Sequence, residues 1–160
     1  MNIKLKLVWI CQFSNSNIRS KLPLSSHYDY TDRAPWITQM INQFKKFEDV
    51  ELYIISPHSG LLKRINSFSD ENVNYCFYRI PLLIFKSKYL QLWGFRFNKL
   101  MMFNTNRYLV HRILNKHLKF KPDIINLIGF ENPSYSASIL DIKHVPVLIT
   151  VQGIYSNPAR

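Results

Sequence analysis

Glycine is scarce in this sequence, with four residues in 160. The loops that cradle nucleotide phosphates place several glycines within a single strand-to-helix turn. No segment of the chain offers such a loop. The composition therefore argues against a self-contained nucleotide-binding domain, whether flavodoxin-like or of another kind.

Cysteine is equally rare. The two cysteines, Cys11 and Cys76, lie far apart, and each is within an apolar run. This placement favours buried, reduced thiols over a disulfide or a metal-binding pair. We therefore expect a protein of a reducing compartment.

Long hydrophobic runs are also missing, because no segment approaches the roughly 20 apolar residues of a membrane-spanning helix. The N-terminal sequence MNIKLKLVWICQF places basic residues before an apolar run, as a secretory signal does. The run is short, ends at Gln12 and lacks a small-residue cleavage site. We interpret it as the first β-strand of a cytoplasmic protein.

Acidic residues are few, ten against 21 lysines and arginines, which gives a net charge of +11. From Asn72 to Pro122 there is no acid, whereas this segment carries ten cations: Arg79, Lys86, Lys88, Arg96, Lys99, Arg107, Arg112, Lys116, Lys119 and Lys121. A surface of this kind attracts phosphates, nucleic acid or anionic lipid. A solvated helix face is the alternative interpretation.

The remaining pattern alternates apolar strands with amphipathic helices. A helix is predicted to begin at Pro35 with Thr31 or Asp32 as its cap, and its apolar residues recur at helical spacing: Ile37, Met40, Ile41, Phe44 and Phe47. Further helical segments are predicted near 109–118 and 133–140, and strands at 5–11, 50–56, 73–80, 123–127 and 146–152. This order predicts one α/β domain over residues 1–160, with an open, mostly parallel sheet.

The segment GFENPSY follows the predicted strand 123–127. Gly129 permits a sharp exit from the strand, Asn132 is a good helix cap, and Pro133 is favoured at a first helical position. Ligands of open α/β sheets bind beyond the carboxyl ends of strands, at turns of this kind. Glu131 lies in the same turn and could accept a hydrogen bond from a hydroxyl group, although a simple capping role would also explain it.

Two other predicted strands end in polar residues at the same edge. A long loop after the first strand contains Asn15, Ser16, Arg19 and Lys21, and its two cations suit a phosphorylated, carboxylated or lipid-linked ligand unless the loop is merely mobile. His58 follows the second strand, where it could titrate or only shape the turn. The other histidines show no metal-ligand spacing, so no metal site is predicted: His27, His111, His117 and His144.

Four segments, in order, resemble the landmarks of the glycosyltransferase family 4-like N-terminal domain: LKLVWICQF, FEDVELYIISP, KPDIINLIG and VPVLITVQGIYSNP. The resemblance covers nearly the whole chain. It implies a Rossmann-like sheet with helices on both faces, the N-terminal half of a GT-B fold. The implied activity is retaining transfer of a sugar from a nucleotide-sugar donor to a glycan or lipid-linked acceptor hydroxyl, typically in bacterial surface polysaccharide biosynthesis.

The resemblance also implies a division of labour between two domains. This half would hold the acceptor, and its own C-terminal domain, absent from this sequence, would hold the donor, so the chain alone is expected to be inactive. No metal and no tightly bound cofactor is implied. Members often carry histidines where this chain has Asn126 and Ile128, and often end the last strand in His-Gly, where it has Gln152 and Gly153. Gln152 can orient a hydroxyl but cannot act as a base.

Residues 89–103 interleave aromatic rings with cations, notably Trp93, Phe95, Arg96, Phe97 and Lys99. Such a segment is typical of attachment to an anionic membrane surface, here the inner face, or of burial against the absent C-terminal domain. The alternative function is a non-catalytic basic α/β module that binds nucleic acid or another polyanion. No established nucleic-acid motif supports it, so we do not expect nucleic acid as a partner.

Overall fold

The sheet that the sequence predicts is present. A computed structural model of the chain describes residues 4–26, 31–79, 104–118, 121–131 and 133–151. Six strands form one sheet in the order β3-β4-β2-β1-β5-β6. Their bounds are β1 Leu5–Ile10, β2 Val50–Pro57, β3 Ile65–Asp70, β4 Val73–Tyr78, β5 Ile124–Ile128 and β6 Val147–Thr150. All neighbouring strands are parallel except β3 and β4.

The described part of the chain contains four helical segments between the strands. Their bounds are α1 Ser16–Ser20, α2 Pro35–Phe44, α3 at 104–112 with a π-helical turn at Ile113–His117, and α4 Pro133–Ser136 with a 3-10 turn at Ala137–Asp141. None of the described helices is long and apolar enough to cross a membrane.

Helices lie on both faces of the sheet, and each face has its own apolar cluster because successive strand residues point to opposite sides. One apolar cluster contains Ile10, Ile55 and Tyr78 from the strands and packs against α3 and Tyr135. The cluster on the opposite face contains Trp9, Ile54 and Phe77 and packs against α1 and α2. This confirms the predicted Rossmann-like architecture.

The two cysteines are free and buried, as predicted. Cys76 belongs to the cluster under α3, and Cys11 belongs to the cluster under α1 and α2. Burial raises the pKa of both thiols. Both thiols therefore remain protonated near neutral pH, and they lie on opposite faces of the sheet.

Three sequence-based expectations need correction. β3 was not predicted, because only two of its six residues, Ile65 and Phe68, are apolar and it pairs only with β4 at the sheet edge. The loop predicted after β1 contains α1. The N-cap of α2 is neither Thr31 nor Asp32 but Ala34, which has a left-handed backbone at φ 49° and no side-chain cap.

The ends of several elements also differ from the prediction. Phe47 lies beyond the end of α2, where it is 50% exposed and contacts the ring of Phe44 edge-on. β4 ends at Tyr78 and β6 at Thr150, each two residues before the predicted end. The main strands and the start of α2 at Pro35 are confirmed.

Candidate functional site

The strand order places a topological switch point between β1 and β5. From β1 the chain builds β2 and β4 on one side, and it later adds β5 and β6 on the other. In an open α/β sheet the turns that leave two such strands diverge, and the crevice outside their carboxyl ends is the usual place for a ligand. We call this position, beyond the ends of β1 and β5, the crevice.

The turn after β5 is built around Gly129. Its backbone has φ 83°, a value that glycine adopts without the steric cost of a Cβ atom. The Gly129 N–H donates to the Thr150 carbonyl at 3.1 Å, and the Tyr135 hydroxyl donates to the Ile128 carbonyl at 2.9 Å. Both bonds hold the peptide group between Ile128 and Gly129 at the start of the turn, which presents exposed Glu131 at the carboxyl edge.

Phe130 is a member of this turn that the sequence analysis did not single out. It lies between Gly129 and Glu131 and is 48% exposed. Its ring is therefore accessible at the carboxyl edge of the sheet. The signal available in the sequence was an aromatic residue directly after the glycine that ends a strand.

The loop after β1 is held by a network centred on Arg19. Its guanidinium donates to the Ser14 hydroxyl at 3.1 Å and to the Thr31 carbonyl at 3.3 Å, and it pairs with Asp32 at 2.8 Å. The side chain is only 16% exposed. Arg19 was predicted to bind a ligand. In the structure its guanidinium links this loop to the segment before α2.

Asn15 and Ser16 form the start of α1. The Asn15 side-chain carbonyl accepts from the Ile18 N–H at 2.8 Å, and its amide donates to the Thr38 hydroxyl at 3.0 Å. Ser16 is the exposed first residue of the helix. Asn15 thus holds α1 against α2, and Ser16 remains accessible beside the crevice.

Lys21 does not join these residues. Its ammonium group pairs with Asp70 at 2.7 Å and lies 5.7 Å from the centre of the Phe68 ring. Asp70 is paired with Val73, the first residue of β4, and so lies at the amino edge of the parallel strands. The two cations predicted to act together in this loop therefore point toward opposite edges of the sheet.

Arg33 takes the place beside Arg19 that Lys21 was expected to fill. Its backbone pairs with that of Ser14 through two hydrogen bonds, at 3.1 and 2.9 Å. The residue is exposed, and its charge acts on His58. No local sequence pattern indicates this position of Arg33, because it depends on an isolated β-bridge with Ser14, a residue distant in the sequence.

His58 leaves the carboxyl end of β2 and is buried. Its Nδ1 atom accepts from the Gly60 N–H at 3.2 Å, which shapes the turn. Burial lowers the pKa of His58, and the nearby charges of Arg33 and Arg19 lower it further. The imidazole is therefore neutral at neutral pH, and it adds a polar group, not a charge, to this edge.

The two strand positions where the family often carries histidine have structural roles here. Asn126 is buried, and its side-chain carbonyl accepts from the Thr150 hydroxyl at 2.9 Å, which ties β5 to β6. Ile128 is part of the apolar core. Neither residue can supply an acid or a base.

The structure thus brings Asn15, Ser16, Arg19, Arg33 and His58 to the carboxyl ends of β1 and β2, with Gly129 and Glu131 at the end of the neighbouring β5. The remaining predicted site residues lie outside the described residues: Asn132, Gln152 and Gly153 in the proposed site, and Trp93, Phe95, Arg96, Phe97 and Lys99 in the proposed membrane or partner face. Pro133 begins α4, as predicted.

Across the described ranges, no group of three or more histidines, cysteines or acids is arranged to hold a metal ion. In comparisons with known proteins, no protein-family model matches the chain, and no curated protein is significantly similar to it.

Proposed function

We propose that this chain is the acceptor-side, N-terminal domain of a retaining GT-B glycosyltransferase. The reaction would transfer a sugar from a nucleotide-sugar donor to an acceptor hydroxyl, in the assembly of a bacterial surface polysaccharide. The observation that carries this proposal is the topological switch point between β1 and β5, with polar and cationic turns at three adjacent strand ends, where ligands of open α/β sheets usually bind. The ordered resemblance of four sequence segments to the family supports it.

In this proposal the domain contributes positioning and electrostatics. The donor would be held by a C-terminal partner domain across the crevice, and the acceptor by the turns after β1, β2 and β5. Holding a hydroxyl group at the correct distance and angle from the donor removes much of the entropic barrier to transfer. This task needs hydrogen-bonding side chains on rigid strand ends, and it requires neither a metal nor a bound cofactor.

Glu131 is the residue best suited to contact the acceptor hydroxyl. It is exposed at the end of β5, and its carboxylate can accept a hydrogen bond. His58 is less suited, because it is buried and its Nδ1 already accepts from Gly60. We therefore assign Glu131 to the acceptor and His58 to the shape of the β2 turn.

Arg33 would supply the positive charge for an acidic acceptor. The Arg19 charge is already paired with Asp32, whereas no partner of the Arg33 guanidinium lies among the described residues. An arginine can bind a phosphate or carboxylate with two parallel hydrogen bonds. The acceptor expected at this edge therefore carries an anionic group near its reacting hydroxyl.

The test is sugar transfer by the complete gene product. Glu131→Gln keeps the size of the side chain but removes its charge, and we expect kcat/KM to fall by at least about tenfold, equivalent to about 1.4 kcal/mol of transition-state stabilisation. The thermal midpoint should stay unchanged, because Glu131 is exposed.

Glu48→Gln is the matched control, since Glu48 is also exposed but lies just before β2 at the opposite edge of the sheet. Equal turnover by both variants and the native enzyme would show that the site is placed wrongly. A product with an inverted anomeric centre would refute the proposed class of enzyme.

A further inference from the structure

A second concave site lies at the opposite edge of the sheet. It is a groove of about 720 Å³ between the end of α3 with its π-helical turn, the segment that enters β5, and the segment between the 3-10 turn and β6. Pro122 precedes β5 and Val145 precedes β6, so the groove opens at the amino ends of these strands. It is therefore separate from the crevice at their carboxyl ends.

The inner wall of the groove is apolar. It is formed by Leu114, Leu118, Ile125, Ile142 and Val145, which pack on the core cluster beneath α3 or belong to it. The volume falls within the range of about 300–1,000 Å³ that is typical of small-molecule sites. The groove could therefore cover the organic part of a ligand and not only an ion.

The rim of the groove is basic. Lys121 and Lys143 are exposed there, together with His111 and His144. His111 Nδ1 lies within hydrogen-bonding distance of the Asn115 side-chain amide, which fixes the orientation of the ring. These groups come from three separate segments of the chain, and the fold gathers them around one opening.

Among the described residues that line the groove, Asp141 is the single acid. Arg107 binds its carboxylate through two hydrogen bonds, so this negative charge is already compensated. A neighbouring cavity along α3 shares His111 and Asp141 with the groove and is lined by two further cations, Arg112 and Lys116. The field at the rim is thus strongly positive, and an anion would relieve the repulsion between the cations.

We propose that this groove binds a phosphate ester, with the phosphate between Lys121 and Lys143 and the organic group against the apolar wall. Lysine ammonium groups bind phosphate as point charges, and the two histidine rings add hydrogen-bond donors. The site does not depend on the proposed glycosyl transfer, because its residues lie at the other edge of the sheet.

The experiment is a calorimetric titration of the chain with phenyl phosphate and with inorganic phosphate. We expect phenyl phosphate to bind more tightly than inorganic phosphate, because only the ester covers the apolar wall. The double variant Lys121→Gln and Lys143→Gln should weaken the binding of phenyl phosphate by at least about tenfold. Both lysines are exposed, so the variant should have the same thermal midpoint of unfolding as the native chain.

Lys46→Gln is the matched control, since Lys46 is exposed, follows α2 and lies on the other face of the sheet. It should bind phenyl phosphate as the native chain does. Equal binding by the double variant and the control, or no binding below about 10 mM, would overturn the proposal. The proposal would also be refuted if phenyl phosphate bound no more tightly than inorganic phosphate. The same holds if the chain bound a single-stranded oligonucleotide but neither phenyl phosphate nor inorganic phosphate.

Discussion

Two buried tyrosines on the same face of the sheet should respond in opposite ways to the loss of a hydroxyl group. Tyr78 ends β4, and its hydroxyl has no hydrogen-bond partner among the described residues. Tyr135 lies in α4, and its hydroxyl donates to the Ile128 carbonyl at 2.9 Å. Burial raises the pKa of both side chains, so both hydroxyls remain protonated near neutral pH.

The expected magnitudes follow from these partners. An unsatisfied buried polar group costs about 1–3 kcal/mol, so Tyr78→Phe should stabilise the fold by about 1 kcal/mol after allowance for the small void left by the oxygen. Tyr135→Phe should destabilise it by about 1–2 kcal/mol, because a net hydrogen bond is lost and the Ile128 carbonyl loses a donor. For a chain of 160 residues, each kcal/mol shifts the thermal midpoint by about 2–4 °C.

The assay is urea denaturation followed by tryptophan fluorescence, with Trp9 as a buried reporter. Unchanged m-values would show that the comparison concerns stability and not a change in the unfolded state. The difference between the two variants should be about 2–3 kcal/mol. If Tyr78→Phe is less stable than the native chain, or if Tyr135→Phe is equally stable, the assignment of the two hydroxyls is wrong.

Two further predictions concern the backbone and the response to pH. Gly129→Ala should lower the free energy of unfolding by about 1–2 kcal/mol, because φ is 83° there. Ala34→Gly, where φ is 49°, should be neutral or stabilising by less than about 1 kcal/mol. If the two variants change the free energy of unfolding equally in a urea titration, this explanation is wrong. Hydrogen bonds from Lys21 and Lys45 lower the pKa of Asp70 in the folded chain. Ionised Asp70 therefore stabilises the fold above the ordinary aspartate pKa of about 4, and this stabilisation is lost as the pH falls through the lower pKa of the folded state. Between about pH 7 and pH 3, the free energy of unfolding should therefore fall less for Asp70→Asn than for the native chain. Equal falls would show that the pairing of Asp70 with the two lysines does not contribute to stability.

The sequence was sufficient to predict the parallel part of the sheet. β1 and β2 are apolar along most of their length because both of their faces are covered, and this pattern is local. β3 lacked a local signal, because an edge strand with one face toward solvent can carry polar residues there, here Ser67 and Ser69. Its strand conformation depends on pairing with β4, a tertiary interaction that composition does not reveal.

The candidate site was predictable to the extent that it depends on strand ends. Gly129 and His58 were identified because each directly follows a strand, and chain order alone places them at one edge of a parallel sheet. The directions of Arg19 and Lys21 could not be predicted, because they depend on Asp32 and Asp70, which are distant in sequence or on another element. The role of Arg33 was missed for the same reason.

The placement of charge gives one physical basis for the two sites proposed above. At the carboxyl edge, Asp32 neutralises Arg19, and Arg33 is left as the cation beside the crevice. At the amino edge, Asp141 is occupied by Arg107, which leaves Lys121 and Lys143 to define the field of the groove. In both places a scarce acid fixes one arginine in a structural role, and the neighbouring cations remain for a ligand. Substitution of either acid by its amide should therefore strengthen anion binding at its own edge and leave the other edge unchanged.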